Sequence, residues 1–106
     1  VPRALTYTDR AIADLKAAKR WLTQPGSGPA AWAKLDAILT AIEGLRDYPC
    51  RWPPGRYLGV RERVCAGGWR ELYEVIPDTG SNETAGDVLV LRVYAPGQDR
   101  RGFRAS

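Results

Sequence analysis

Between Arg56 and Val75 the chain reads RYLGVRERVCAGGWRELYEV, and three of its arginines have the type and spacing to hold an anion. Arg61 and Arg63 stand two residues apart, so on a strand they share a face, opposite Val60, Glu62 and Val64. Arg70 begins the next apolar run, just past Ala66-Gly67-Gly68. A guanidinium is planar, permanently charged and suited to bidentate contact with phosphate or carboxylate. Fixed arginines could therefore stabilise charge building on a phosphate during cleavage by a 2′-OH. They are poor proton acceptors, however, and that chemistry also needs a group of near-neutral pKa. The sequence contains no histidine, which removes Ser-His and Cys-His nucleophile systems and His-bearing metal sites. Three readings of the arginines remain: charges solvated or paired with Glu71 or Glu74, a surface for nucleic acid or an acidic partner, or part of a catalytic set. Glu71 is the odd residue, since alternation puts it on a face with Trp69, Tyr73 and Val75. It is expected near a frayed strand start or paired with an arginine.

The elements that must position these side chains are legible from periodicity. Residues 4–7 form a short candidate strand. Thr8 suits a helix N-cap with Asp9 in the first turn, and Ala11, Leu15, Ala18 and Leu22 make one apolar stripe. Arg10, Asp14, Lys16, Lys19 and Arg20 mostly take the remaining faces. Gln24-Pro-Gly-Ser-Gly-Pro29 ends that helix, and Pro29 suits the first turn of the next. Trp32, Leu35, Ile38, Leu39, Ile42 and Leu45 predict a second helix to about Tyr48, stopped by Pro49, with Trp32 in the core. The two make a helical hairpin over residues 9–48. Residues 57–65 and 69–76 predict a β-hairpin across the Gly-Gly turn. DVLVLRVY, 87–94, is β-prone enough to sit centrally in a sheet. The order β-α-α-β-β-β predicts an α+β fold, with the helices on one face of a small, mostly antiparallel sheet.

Length and composition bound the rest. The 106 residues suffice for one domain, 1–106, with a packed core supported by 44% hydrophobic residues. A formal net charge of +4 favours an acidic partner without specifying it. Cys50 and Cys65, without histidines, cannot complete a zinc shell and are read as reduced, small core or semi-core residues. No cofactor or metal is expected. No run approaches the ~20 apolar residues of a membrane span, and VPRALTYTDR lacks an apolar leader, so a cytoplasmic location is expected. Trp21 lies off the main stripe of the first helix and is a candidate partner-covered spot. Trp52, between Arg51 and two prolines, reads as a lid on the core.

Taken together, YTDRAIADL, AKLDAILTAIEGLRDYP, GVRERV, WRELYEV and VLVLRVY, in this order and spacing, resemble the RelE/ParE superfamily of bacterial type II toxin–antitoxin systems over roughly Leu5–Arg100. The resemblance implies a toxin neutralised by a small ParD-like antitoxin, whose own N-terminal part binds operator DNA; no sequence-specific DNA binding is expected of this chain. RelE-like members of the superfamily cleave mRNA on the ribosome with Lys, Arg and Tyr. ParE-like members poison DNA gyrase and lack the full nuclease set. Arg61 and Arg63 match the two basic strand residues of the nucleases, and Arg70 the arginine opening the next strand. Arg100 stands near a further C-terminal arginine, although APGQDR departs from the usual ending. Phe103 falls near the catalytic tyrosine and lacks its hydroxyl. That departure and the long helical hairpin favour the ParE-like branch, a gyrase-binding toxin that is not itself an enzyme. A RelE-like mRNA interferase using Arg61, Arg63, Arg70 and Arg100 is the alternative, and a non-toxic basic module of this fold the second. Contacts to antitoxin or target are expected at Arg61, Arg63, Arg70, Trp21, Arg100 and Arg101.

Overall fold

The computed structural model describes residues 3–97. Its elements are β1 (Leu5–Tyr7), α1 (Asp9–Leu22), α2 (Gly28–Gly44), β2 (Arg61–Cys65), β3 (Trp69–Ile76) and β4 (Asp87–Tyr94). They form a four-stranded mixed sheet in the order β1-β4-β3-β2, with β1 parallel to β4 and the other pairs antiparallel. The α+β expectation holds, and β4 is a central strand as its composition indicates.

Both helices pack on one face of this sheet. Thr8 caps α1 by accepting the Ala11 N–H at 3.0 Å, while its own hydroxyl donates to the Leu91 carbonyl. The same residue thus starts the helix and fastens it to β4. The predicted α1 stripe buries Ala11, Ala18 and Leu22. On α2 the inward residues are Leu35, Ile38, Ala41 and Ile42, followed by Leu45 just beyond the helix. Trp32 is not core: it is 53% exposed, and Leu39 is exposed beside it. At ~100° per residue these two turn to one flank of Leu35, whereas Ile38, Ile42 and Leu45 turn to the other, toward the sheet.

Two predicted boundaries move. The second helix ends at Gly44 and not near Tyr48, because its last turn tightens. Leu45, Arg46 and Asp47 donate to carbonyls three residues back, at 3.0–3.2 Å. Pro49 then forbids a return to helix. β2 begins at Arg61 and not Tyr57, since Gly59 takes φ +75° and the Val60 N–H closes a turn onto Tyr57. This loop folds over the second sheet face, where Tyr57 and Val60 meet Leu72, Leu91 and Tyr94. The sheet is therefore sandwiched between the helices and a loop.

The β2–β3 turn works as expected, with Gly67 and Gly68 at positive φ. A bulge interrupts β3–β4: Leu72 pairs with Arg92 and Tyr73 with Val90, leaving Leu91 extra. Val90 and Val93 consequently both reach the helix-side core, three residues apart. β1 pairs only as far as Val90, and beyond it Asp14 of α1 takes over. Its carboxylate accepts from Val93 N–H at 2.9 Å and from Arg92 Nε and Nη2 at 2.7 and 3.1 Å. Asp14 is therefore not on a solvated face; it caps the edge that β1 leaves open.

Candidate functional site

The strand register decides what the arginines can do together. Arg61 pairs with Tyr73 and Arg63 with Glu71, so both arginines point to the helix side; Arg70 pairs with Val64 and points to the reverse face. A single arginine surface on the sheet, as the spacing suggests, does not form. No one anion can touch all three.

Each guanidinium is then committed differently. Arg61 is enclosed by its own bonds: Nε and Nη2 donate to the two oxygens of Asp78 at 2.8 and 3.0 Å, and Nη1 to the carbonyls of Trp52 and Cys50 at 2.7 and 3.3 Å. These bonds raise the Arg61 pKa and hold the Asp78 carboxyl below its ordinary range. Four of its five N–H groups are spent tying the 50–52 loop to the 78–82 loop. Arg63 donates Nη1 to the Ala41 carbonyl of α2 at 2.9 Å and stacks on Trp52, 3.9 Å from the ring centroid. Arg70 pairs with Glu62 at 2.6 Å on the far face and stays 37% exposed. Arg100 and Arg101 lie outside the described residues, as does Phe103.

Glu71 meets neither expectation made for it. It is fully buried on the helix face, mid-sheet between Arg63 of β2 and Val93 of β4, and no arginine is bonded to it. Its Oε2 receives the Cys65 thiol at 3.5 Å, and its Oε1 has no partner. Burial lifts its pKa from an ordinary 4.5 to about 7, with Cys65 and Arg63 pulling the other way. The inward alternation of Trp69, Glu71 and Tyr73 was the available signal for this.

Grooves run along both flanks of α2. The first, about 670 Å³, opens between α2 and edge strand β2, with Thr40, Gly44, Tyr48, Trp52, Arg63 and Cys65 on its walls. Trp52 packs half-buried against the helix-side core, as the lid reading anticipated, and also forms the shoulder of this groove, with Arg51 5.5 Å from its ring. The second, about 370 Å³, runs between α1 and α2 over Ile12, Leu15, Leu35 and Leu39, with Lys16 and Lys19 along its rim. Ile12 and Leu39 expose apolar surface there because neither helix can turn them to the sheet. Trp21 is 65% exposed and lines a smaller recess with Trp69 and Val93. Sequence periodicity missed the second groove by counting Leu39 as core and not singling out Ile12. No group of metal-ligating side chains occurs among the described residues, and no helix there is long and apolar enough to cross a membrane.

Comparison with known proteins adds a family. The family model for the ParE toxin of the type II toxin–antitoxin system, parDE, matches residues 5–99. A chain in the solved structure of a chromosomal ParDE toxin–antitoxin system from P. aeruginosa superposes with a TM-score of 0.63 at 19% identity. The match covers 86% of this chain and 92% of that one, and at such identity it shows a shared fold. No curated protein matches.

Proposed function

Since the chain belongs to the ParE toxin family of type II toxin–antitoxin systems, we propose that it acts in the cytoplasm by binding DNA gyrase, and that an antitoxin neutralises it through the α1–α2 groove. The observation that carries the choice of a binding toxin over a nuclease is the division of the arginines between two sheet faces. Cleavage of a phosphodiester needs several cationic donors on one phosphate together with a group that moves a proton. Here Arg61 is consumed by Asp78 and two carbonyls, and Arg70 stands behind the sheet with Glu62.

The antitoxin half of the reading rests on an apolar trough between two helices with lysines on its rim. Such a trough fits an amphipathic helix that presents apolar residues inward and carboxylates outward. That the P. aeruginosa neighbour comes from a ParDE toxin–antitoxin system supports a ParD-like protein as that helix donor.

Antitoxin-free protein tests the target. Incubated with gyrase and relaxed plasmid, it should abolish supercoiling or trap cleaved DNA. In a purified translation system it should leave a reporter mRNA intact by primer extension. Codon-phased cuts that require ribosomes would replace this reading with the interferase alternative. For the antitoxin, an Ile12→Ser, Leu39→Ser variant should bind at least about tenfold more weakly, with supercoiling inhibition retained.

A further inference from the structure

Two adjoining surfaces of the helical layer complement one another. The first is a stripe along the crest of α2. Trp32, Asp36, Leu39 and Glu43 follow at spacings of four, three and four, so they share one helix face, and all four are exposed. The stripe alternates large apolar side chains with carboxylates. The second surface is the α1–α2 groove, with Ile12, Leu15, Leu35 and Leu39 along it and Lys16 and Lys19 on its α1 rim. Leu39 belongs to both, so stripe and groove form one continuous patch.

The charges of this patch are largely unspent. Among the described residues, Lys16, Lys19 and Asp36 take part in no ion pair, and Glu43 has only Arg46, one turn away at 3.6 Å with both side chains open to water. Such an exposed pair holds weakly and exchanges readily. A helix that fills the groove must carry apolar residues inward and carboxylates beside them. The crest of α2 offers that combination, whereas the exposed face of α1 carries Arg10, Lys16, Lys19 and Arg20.

We propose that this patch joins two copies of the chain: without antitoxin the protein is a two-fold symmetric dimer, in which the α2 stripe of each protomer lies over the α1–α2 groove of the other. A two-fold interface requires one patch that complements itself. Here Trp32 and Leu39 of one protomer meet the apolar groove of its partner, while Asp36 and Glu43 meet the lysine rim. The aromatic and aliphatic anchors supply most of the affinity, and the rim charges fix the register. The groove assigned above to the antitoxin is then closed in the free toxin, so an antitoxin helix must displace the second copy. That consequence rests on the antitoxin reading; the dimer does not.

Sedimentation equilibrium of the purified, antitoxin-free chain tests this, at about 5–100 μM protein and about 0.1 M salt. Wild type should approach twice the 11.7 kDa of one chain as concentration rises, and about 1 M salt should weaken the association. The pair Asp36→Lys, Glu43→Lys puts like charges face to face and should weaken it at least about tenfold, as should the pair Lys16→Glu, Lys19→Glu. Mixing the two variant proteins restores opposite charges at both halves of the interface, so the mixture should associate about as tightly as wild type. A wild-type monomer throughout, undiminished association in either variant, or a mixture that stays monomeric would each overturn the proposal. All four positions are exposed. Should a charge variant still fail to fold, Trp32→Ser decides in its place, and undiminished association there would count against the dimer. No sample contains antitoxin, so a negative result removes the dimer and leaves the antitoxin reading standing.

Discussion

Replacing Glu71 by Gln tests the electrostatics of the sheet most directly. The unfolded chain ionises this carboxyl at about 4.5, the folded protein only at about 7. Below pH 4.5 the group is neutral in both states and costs nothing. Between those values the unfolded state releases its proton and the folded state keeps it, so stability falls as pH rises, and it levels off above pH 7. At about 1.4 kcal/mol for each tenfold difference in proton affinity, the loss comes to about 3 kcal/mol. Gln has nearly the same shape and no charge, so the variant should lack this slope. Urea unfolding of both proteins at several pH values between 4 and 8.5 measures it. The variant's advantage over wild type should grow by about 3 kcal/mol from pH 4.5 to pH 8. A difference between the two proteins that does not change with pH would refute the argument and mean that Glu71 is hydrated or paired in solution.

Three further outcomes follow from the same geometry. Asp14→Ala strips Arg92 and the Val93 N–H of their acceptor and should cost about 3 kcal/mol in urea unfolding, far more than a surface aspartate. Arg61→Ala should cost about 2–3 kcal/mol, because it removes the donor from two loop carbonyls and Asp78; Arg70→Ala, which loses a half-exposed ion pair, should cost less, about 1 kcal/mol. Gly86→Ala should prevent native packing of the 77–86 loop, because the new Cβ would lie 1.9 Å from the Ile76 carbonyl oxygen; thermal unfolding of purified protein, or its failure to accumulate as soluble protein, reads this out.

Much of the architecture was written locally. The Thr8 cap, the Ala11-Ala18-Leu22 stripe, the Gly67-Gly68 turn and the β-rich run of β4 each follow from residue type and period within a few positions. Errors arose where a local pattern admits two tertiary outcomes. Trp32 and Leu39 fit a helical stripe, yet the sheet covers only part of that stripe and leaves both exposed, Leu39 in the α1–α2 groove and Trp32 beside Pro29 and Asp36. Asp14 lies three residues after Ala11 and four before Ala18, on the buried side of α1. Period alone thus places it inward, whereas residue type suggests the opposite. What resolves the conflict is the end of the β1–β4 ladder at Val90, a fact of pairing that no single segment contains.

The candidate site divides in the same way. The sequence by itself determined that the chemistry would rest on arginines, carboxylates and thiols without histidine, that Arg61 and Arg63 share a face, and that Glu71 points inward. Those are consequences of residue type and of the two-residue period of a strand, which are local. Only the tertiary structure decided that the shared face is the helix side, that Arg70 lies behind it, and that Asp78, 17 residues further along the chain, claims Arg61. It also decided that Cys65 and Glu71 meet across the hairpin beside an open groove. Which side of a sheet is covered, and which distant loop supplies a counter-charge, depends on how whole elements bury their apolar faces together. That is a property of the assembled fold.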